Sequence, residues 1–179
     1  RFSFSNPYQI NTNQPLIIVA NHQSMYDISP LMWYMRKHHP KFISKKELGK
    51  GIPSVSYNLR HGGSVLIDRK KPIESIKAIE DFAKRVDKNN WAAVIFPEGT
   101  RSRTGKPKPF KTKGLITLMN HMPNALVVPI SINNSWKTLR YGKFPMGLGA
   151  HITFKVHQPI PVNSDKPLIL ANQVEQSII

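Results

Sequence analysis

Short apolar runs, each about one buried strand long and each leading straight into a polar stretch, constrain this chain more than any other feature. Residues 16–20 (Leu-Ile-Ile-Val-Ala) carry no polar side chain. That rules out a strand with one solvated face and requires burial on both. Similar strand-forming runs occupy residues 41–44, 64–68, 92–96, 126–132 and 152–156. Helical spacing appears between them, most clearly over residues 73–86. There Ile73, Ile76, Ile79, Phe82, Ala83 and Val86 form one face, charged residues fill the other, and Pro72 stands at the entry. Ser29-Pro30 reads as an N-cap and first helical residue opening a helix to about Lys37, and shorter helices are expected over 114–122 and 168–176. The alternation predicts an α/β fold: a single domain over residues 1–179 with a mixed, largely parallel central sheet flanked by helices. The motif-bearing core spans about 16–156.

In such sheets, ligand sites gather at the carboxyl ends of the strands, and the unusual residues of this chain follow its apolar runs. After the first run come Asn21-His22-Gln23-Ser24-Met25-Tyr26-Asp27. An imidazole serves as a general base when a carboxylate fixes its tautomer and orientation. Five residues of regular helix would point His22 and Asp27 to diverging faces. They meet only if His22 precedes the helix and the chain turns back at its first turn. Gly62-Gly63 leads into a strand that ends at Asp68-Arg69, a guanidinium shaped for phosphate. Phe96-Pro97-Glu98-Gly99-Thr100-Arg101-Ser102 follows another run. Gly99 permits close backbone approach, Arg101 offers a second fork, and Glu98 either accepts a bond from a substrate hydroxyl or holds an arginine. The basic loop beyond, with Arg103, Lys106, Lys108, Lys111 and Lys113, is equally a solvated face or a headgroup contact. Val127-Val128-Pro129-Ile130 brings packing and no reactive group.

Charge narrows the partners. Lys and Arg total 26 against 10 Asp and Glu, a net +16, which favours an anionic partner, either nucleic acid or anionic lipid. The chain has no cysteine, so disulfides, thiol nucleophiles and thiolate metal sites are excluded. No apolar run approaches the ~18–20 residues that span a bilayer. The chain opens on Arg1, read as a start inside a longer or processed protein with a membrane-anchoring segment expected upstream.

At these residues the chain resembles the 1-acyl-sn-glycerol-3-phosphate acyltransferases of the glycerolipid acyltransferase superfamily. The family's Asn-His-x4-Asp motif matches Asn21, His22 and Asp27. Its glycine-led strand ending in arginine matches Gly63 to Arg69, and Phe-Pro-Glu-Gly-Thr-Arg-Ser stands complete from Phe96 to Ser102. Val-Pro-Ile matches Val128, Pro129 and Ile130, and Lys46-Glu47-Leu48 resembles the short basic segment between the first two motifs.

The resemblance implies acyl transfer from acyl-CoA or acyl carrier protein to the sn-2 hydroxyl of lysophosphatidate, with His22 as base and Asp27 orienting it. Arg69, Arg101 and Lys46 would clamp the phosphate, while Glu98, with Gly99 and Thr100 beside it, would help position the acceptor. No metal and no cofactor beyond the donor is implied. The implied partners are a lysophospholipid, the acyl donor and an anionic membrane surface rather than nucleic acid. The implied setting is the cytoplasmic face of a membrane. Glycerol-3-phosphate or another lysolipid is an alternative acceptor. A basic nucleic-acid-binding domain and a hydrolase in which the same pair activates water are the rival readings. The stretch from Met25 to Met35, rich in aromatics and followed by Arg36, Lys37, His38 and His39, either lies in a membrane interface or packs on the sheet.

Overall fold

A computed structural model describes residues 1–50, 53–142, 146–162 and 166–179. Among the described residues eight strands form one sheet: β1 (Phe2–Ser5), β2 (Leu16–Ala20), β3 (Pro40–Lys45), β4 (Val65–Ile67), β5 (Ala92–Ile95), β6 (Leu126–Asn133), β7 (Ile152–Val156) and β8 (Ile160–Pro161). Five helices accompany them: α1 (Ile28–Tyr34), α2 (Pro53–His61), α3 (Pro72–Lys88), α4 (Thr112–His121) and α5 (Pro167–Ile178). The strand order is β1-β7-β6-β2-β5-β3-β4, with β8 pairing the start of β6. Strands β6, β2, β5, β3 and β4 run parallel to one another. β7 runs antiparallel to β6 and carries β1 parallel beside it. The fold is the expected α/β arrangement, a mixed, mostly parallel sheet flanked by helices.

The apolar runs are central because both their faces are covered. In β2, Ile17 and Val19 join a core built with Ile79, Phe82 and Val86 of α3, Leu115 and Leu118 of α4, and Leu170 and Val174 of α5. Leu16, Ile18 and Ala20, pointing the other way, join Leu31 of α1, Leu59 of α2 and the inner residues of β6 and β7. The period-two alternation of a strand thus feeds two cores at once.

Several boundaries differ from expectation for identifiable reasons. The chain enters α1 earlier than Ser29-Pro30. Ser24 caps a single 3-10 turn, Met25–Asp27, that runs directly into the helix. Ile73 lies outside the core at 87% exposure, because Ser75 faces inward instead and donates from its hydroxyl to the Asp68 carbonyl at 2.6 Å. In α1, Leu31 and neighbouring Met35 are buried, whereas Trp33 is 64% exposed with the Arg36 guanidinium 4.5 Å from its ring centre. The helix packs on the sheet and also presents an aromatic–cationic edge. Helix α2 and strands β1 and β8 were not anticipated. Ser, Tyr and Asn give α2 weak helix propensity, and the other two depend on distant partners.

Helix α3 carries a local conflict. Asp87, one residue from its end, places a negative charge at the negative pole of the helix dipole. Among the described residues its buried Oδ1 has no hydrogen-bond partner, and burial raises the carboxyl's pKa. A carboxyl raised in the folded state weakens the fold once ionised. Asp87→Asn is therefore expected to stabilise the protein by about 0.5–1 kcal/mol at neutral pH, read as a higher urea midpoint. That gain should vanish in acid, where the wild-type group is protonated.

Candidate active site

Because five strands run parallel, their carboxyl ends lie along one rim of the sheet. His22 follows β2, Lys46 follows β3, Arg69 follows β4, the segment from Phe96 to Arg101 follows β5, and Ser135 follows β6. Residues far apart in sequence are thereby collected on one edge.

The tightest arrangement there is His22 with Asp27. Nδ1 of the imidazole lies 2.9 Å from Asp27 Oδ2. The same oxygen accepts backbone N–H bonds from Gln23 and Ser24, both at 2.8 Å. The 3-10 turn accounts for the geometry. Asp27 is its third residue, and its carboxylate reaches back to the capping residue in a capping box. Asp27 is fully buried, whereas the His22 side chain keeps 18% exposure. A carboxylate only accepts hydrogen bonds, so the imidazole proton sits on Nδ1. In the neutral imidazole Nε2 is then left with a lone pair. The ring also stacks on Phe96, with centres 4.4 Å apart.

The backbone of His22 is fixed as firmly as its ring. Its N–H donates to Glu98 Oε1 at 2.7 Å, and its carbonyl accepts from the Ser102 N–H at 2.7 Å. The other Glu98 oxygen accepts from the Lys108 N–H at 2.8 Å. Glu98 is only 2% exposed, and burial raises its pKa against the opposing pull of these two N–H groups and of His22 and Lys108. Its oxygens are turned to the chain itself, so the acceptor positioning expected of Glu98 would act through His22.

Two further residues of the first motif brace the rim. Asn21 exchanges two hydrogen bonds with the backbone of Ile132, at 2.8 and 2.6 Å, tying the exit of β2 to β6. Gln23 accepts from the Ser135 N–H at 3.0 Å. Reasoning from sequence assigned neither a role. The sequence signals are the place of Asn21 in the Asn-His-x4-Asp motif and, for Gln23, an amide beside a buried strand end.

Arg69 is brought to the same place, its guanidinium donating to the Gly99 carbonyl. Gly99 has φ +70°, a left-handed conformation that disfavours side chains. A Cβ there would meet Lys111 Nζ at 3.7 Å and Arg69 Nη1 at 3.8 Å. Gly99→Ala is expected to cost about 1–2 kcal/mol from backbone strain alone, measurable by urea denaturation. The loop hydrogen bonds around His22 would be retained. Thr100, Arg101 and Lys46 lie on the rim with exposed side chains. Among the described residues, the side chains of Arg101 and Lys46 make no hydrogen bond to His22, Asp27 or Glu98. No group of three or more His, Asp or Glu among the described residues is placed to hold a metal ion.

Fold and geometry together define an α/β protein with a carboxylate-held imidazole at the carboxyl rim of its sheet, flanked by cations. The sequence profile of the family described as Acyltransferase matches residues 1–133, and the chain belongs to that family. The 1-acyl-sn-glycerol-3-phosphate acyltransferase of Cocos nucifera is 33% identical over 153 residues, covering 83% of this chain and 47% of that protein. The enzyme of the same name from Helicobacter pylori is 37% identical over 127 residues, covering 66% and 51%. The chain thus spans about half the length of the curated relatives it matches. The crystal structure of the 1-acyl-sn-glycerophosphate (LPA) acyltransferase PlsC from Thermotoga maritima superposes with a TM-score of 0.75. It covers 99% of this chain and 68% of that one, at 27% identity.

Proposed function

We propose that this chain transfers a fatty acyl group from the thioester of acyl-CoA or acyl carrier protein to the sn-2 hydroxyl of lysophosphatidate, giving phosphatidate. The observation that carries the reading is the 2.9 Å bond from His22 Nδ1 to a carboxylate oxygen held by two backbone N–H groups. Nε2 takes the proton of the acceptor hydroxyl as its oxygen attacks the thioester carbonyl. The tetrahedral intermediate then collapses, the carbon–sulfur bond breaks, and the thiolate leaves with the proton carried on His22. Buried Asp27 stabilises the imidazolium formed in between. A thioester is already activated, so positioning and one base account for the rate without an acyl-enzyme.

Arg69 and Arg101, with Lys46 at the exit of β3 between their strands, attract the phosphate of the acceptor. The excess of cations and the exposed Trp33 beside Arg36 suit work at an anionic membrane surface, on its cytoplasmic side. No described helix is long and apolar enough to cross a membrane. The names of the Cocos and Helicobacter relatives support the acceptor assignment, and nucleic acid is not required to explain the charge.

The test is an acyl-transfer assay on the chain in mixed vesicles, with lysophosphatidate, glycerol-3-phosphate and other lysolipids as acceptors and both donors in turn. Phosphatidate should form fastest from lysophosphatidate. Thioester cleavage at the same rate with and without acceptor would replace this reading with a hydrolase.

A further inference from the structure

Lys111 belongs to none of the matched motifs, yet it helps define a notch on the rim. Its Nζ lies 3.7 Å from the point where a Cβ on Gly99 would stand, and Arg69 Nη1 lies 3.8 Å from that same point. Gly99 keeps the space between the two cations open. The backbone holds both sides of the notch: the Lys111 N–H donates to the Pro97 carbonyl at 2.9 Å, and the Arg69 guanidinium donates to the Gly99 carbonyl. Among the described residues the Lys111 ammonium has no hydrogen-bond or ion-pair partner. The acid that influences Arg69 is Glu47, itself paired with Lys45 at 3.3 Å. Two like charges held this close repel, and an anion between them converts the repulsion into attraction. An arginine fork beside a mobile ammonium suits a phosphate monoester, which presents several acceptor oxygens.

We propose that Lys111 and Arg69 grip a phosphate monoester over Gly99, with Lys111 as a phosphate-contacting residue outside the recognised motifs. The inference rests on the acyl-transfer reading for which substrate brings that phosphate, the lysophosphatidate acceptor or the 3′-phosphate of CoA. It does not rest on that reading for the binding itself.

The experiment measures glycerol-3-phosphate binding to the intact chain by calorimetry, together with kinetics. Lys111→Met is expected to weaken binding about 10-fold, the loss of one charge-assisted contact, whereas Lys111→Arg should hold it within about 3-fold. Lys77→Met, which removes the same charge from the exposed face of α3, controls for net charge and should leave binding unchanged. If the acceptor supplies the phosphate, KM for lysophosphatidate rises about 10-fold in Lys111→Met with kcat little altered. If CoA supplies it, KM rises for acyl-CoA and not for acyl-dephospho-CoA. Either result supports the notch. Unchanged glycerol-3-phosphate binding and unchanged KM for both substrates would overturn it, as would an equal loss in Lys77→Met. Wild-type chain that transfers no acyl group but binds glycerol-3-phosphate through Lys111 would sink the proposed function and leave the notch standing.

Discussion

Replacing His22 with alanine is expected to lower the rate of acyl transfer by about 10²–10⁴-fold, the usual worth of a positioned general base. The loss should fall on kcat, since the cations of the rim are untouched. The fold should survive: after the substitution Asp27 Oδ2 still accepts the Gln23 and Ser24 N–H bonds that hold the 3-10 turn. Circular dichroism should therefore be unchanged, with a modest fall in melting temperature from the lost contact with Phe96. A variant that kept more than a tenth of the wild-type kcat would remove His22 from the role of base.

Glu98→Ala is expected to have the second large effect, on stability and rate together. It strips the partners from the backbone N–H groups of His22 and Lys108. An unsatisfied buried donor costs about 1–3 kcal/mol, so a loss of about 2–4 kcal/mol follows, or roughly 5–15 °C in melting temperature for a chain of this size. Because the bonded N–H belongs to His22, kcat should fall as well, while KM for lysophosphatidate changes less. Direct contact between Glu98 and the acceptor would instead raise KM most. The acid also predicts a pH trend. Burial lifts its pKa in the folded state, so its contribution to stability is fully present below the unfolded value of about 4.3 and declines as pH rises through the raised one. Wild type should thus lose stability relative to Glu98→Gln between acid and neutral pH. An opposite slope in paired denaturation curves would refute the assignment.

The central strands β2, β5 and β6 were legible because burial on both faces leaves uninterrupted apolar runs such as Leu16 to Ala20, and α3 because its inner face repeats at helical spacing. Ile73 shows the limit of that logic: periodicity does not say where along a helix the core begins. The pairing of His22 with Asp27 followed from their five-residue offset at a strand exit, though the turn is capped by Ser24 and not by Ser29. The partners of Glu98 were not legible. They are backbone N–H groups, which every residue but proline possesses, so no residue type marks them. Lys111 escaped for a related reason. It stands among several lysines in one loop, and only the fold singles out the one beside Gly99.

Both main-chain groups of His22 are bonded to the segment after β5, the same segment that carries Gly99. His22 and the Gly99 side of the notch are therefore tied to one segment. Such a segment works as a ruler on the glycerol backbone. A 2-acyl isomer anchored by its phosphate would present its free hydroxyl one carbon farther along, out of register with Nε2. Since a misplacement of about 1 Å can cost ~10²-fold, under the proposed acyl transfer with the acceptor's phosphate in the notch, the bracing of one histidine would set the regiochemistry of the product.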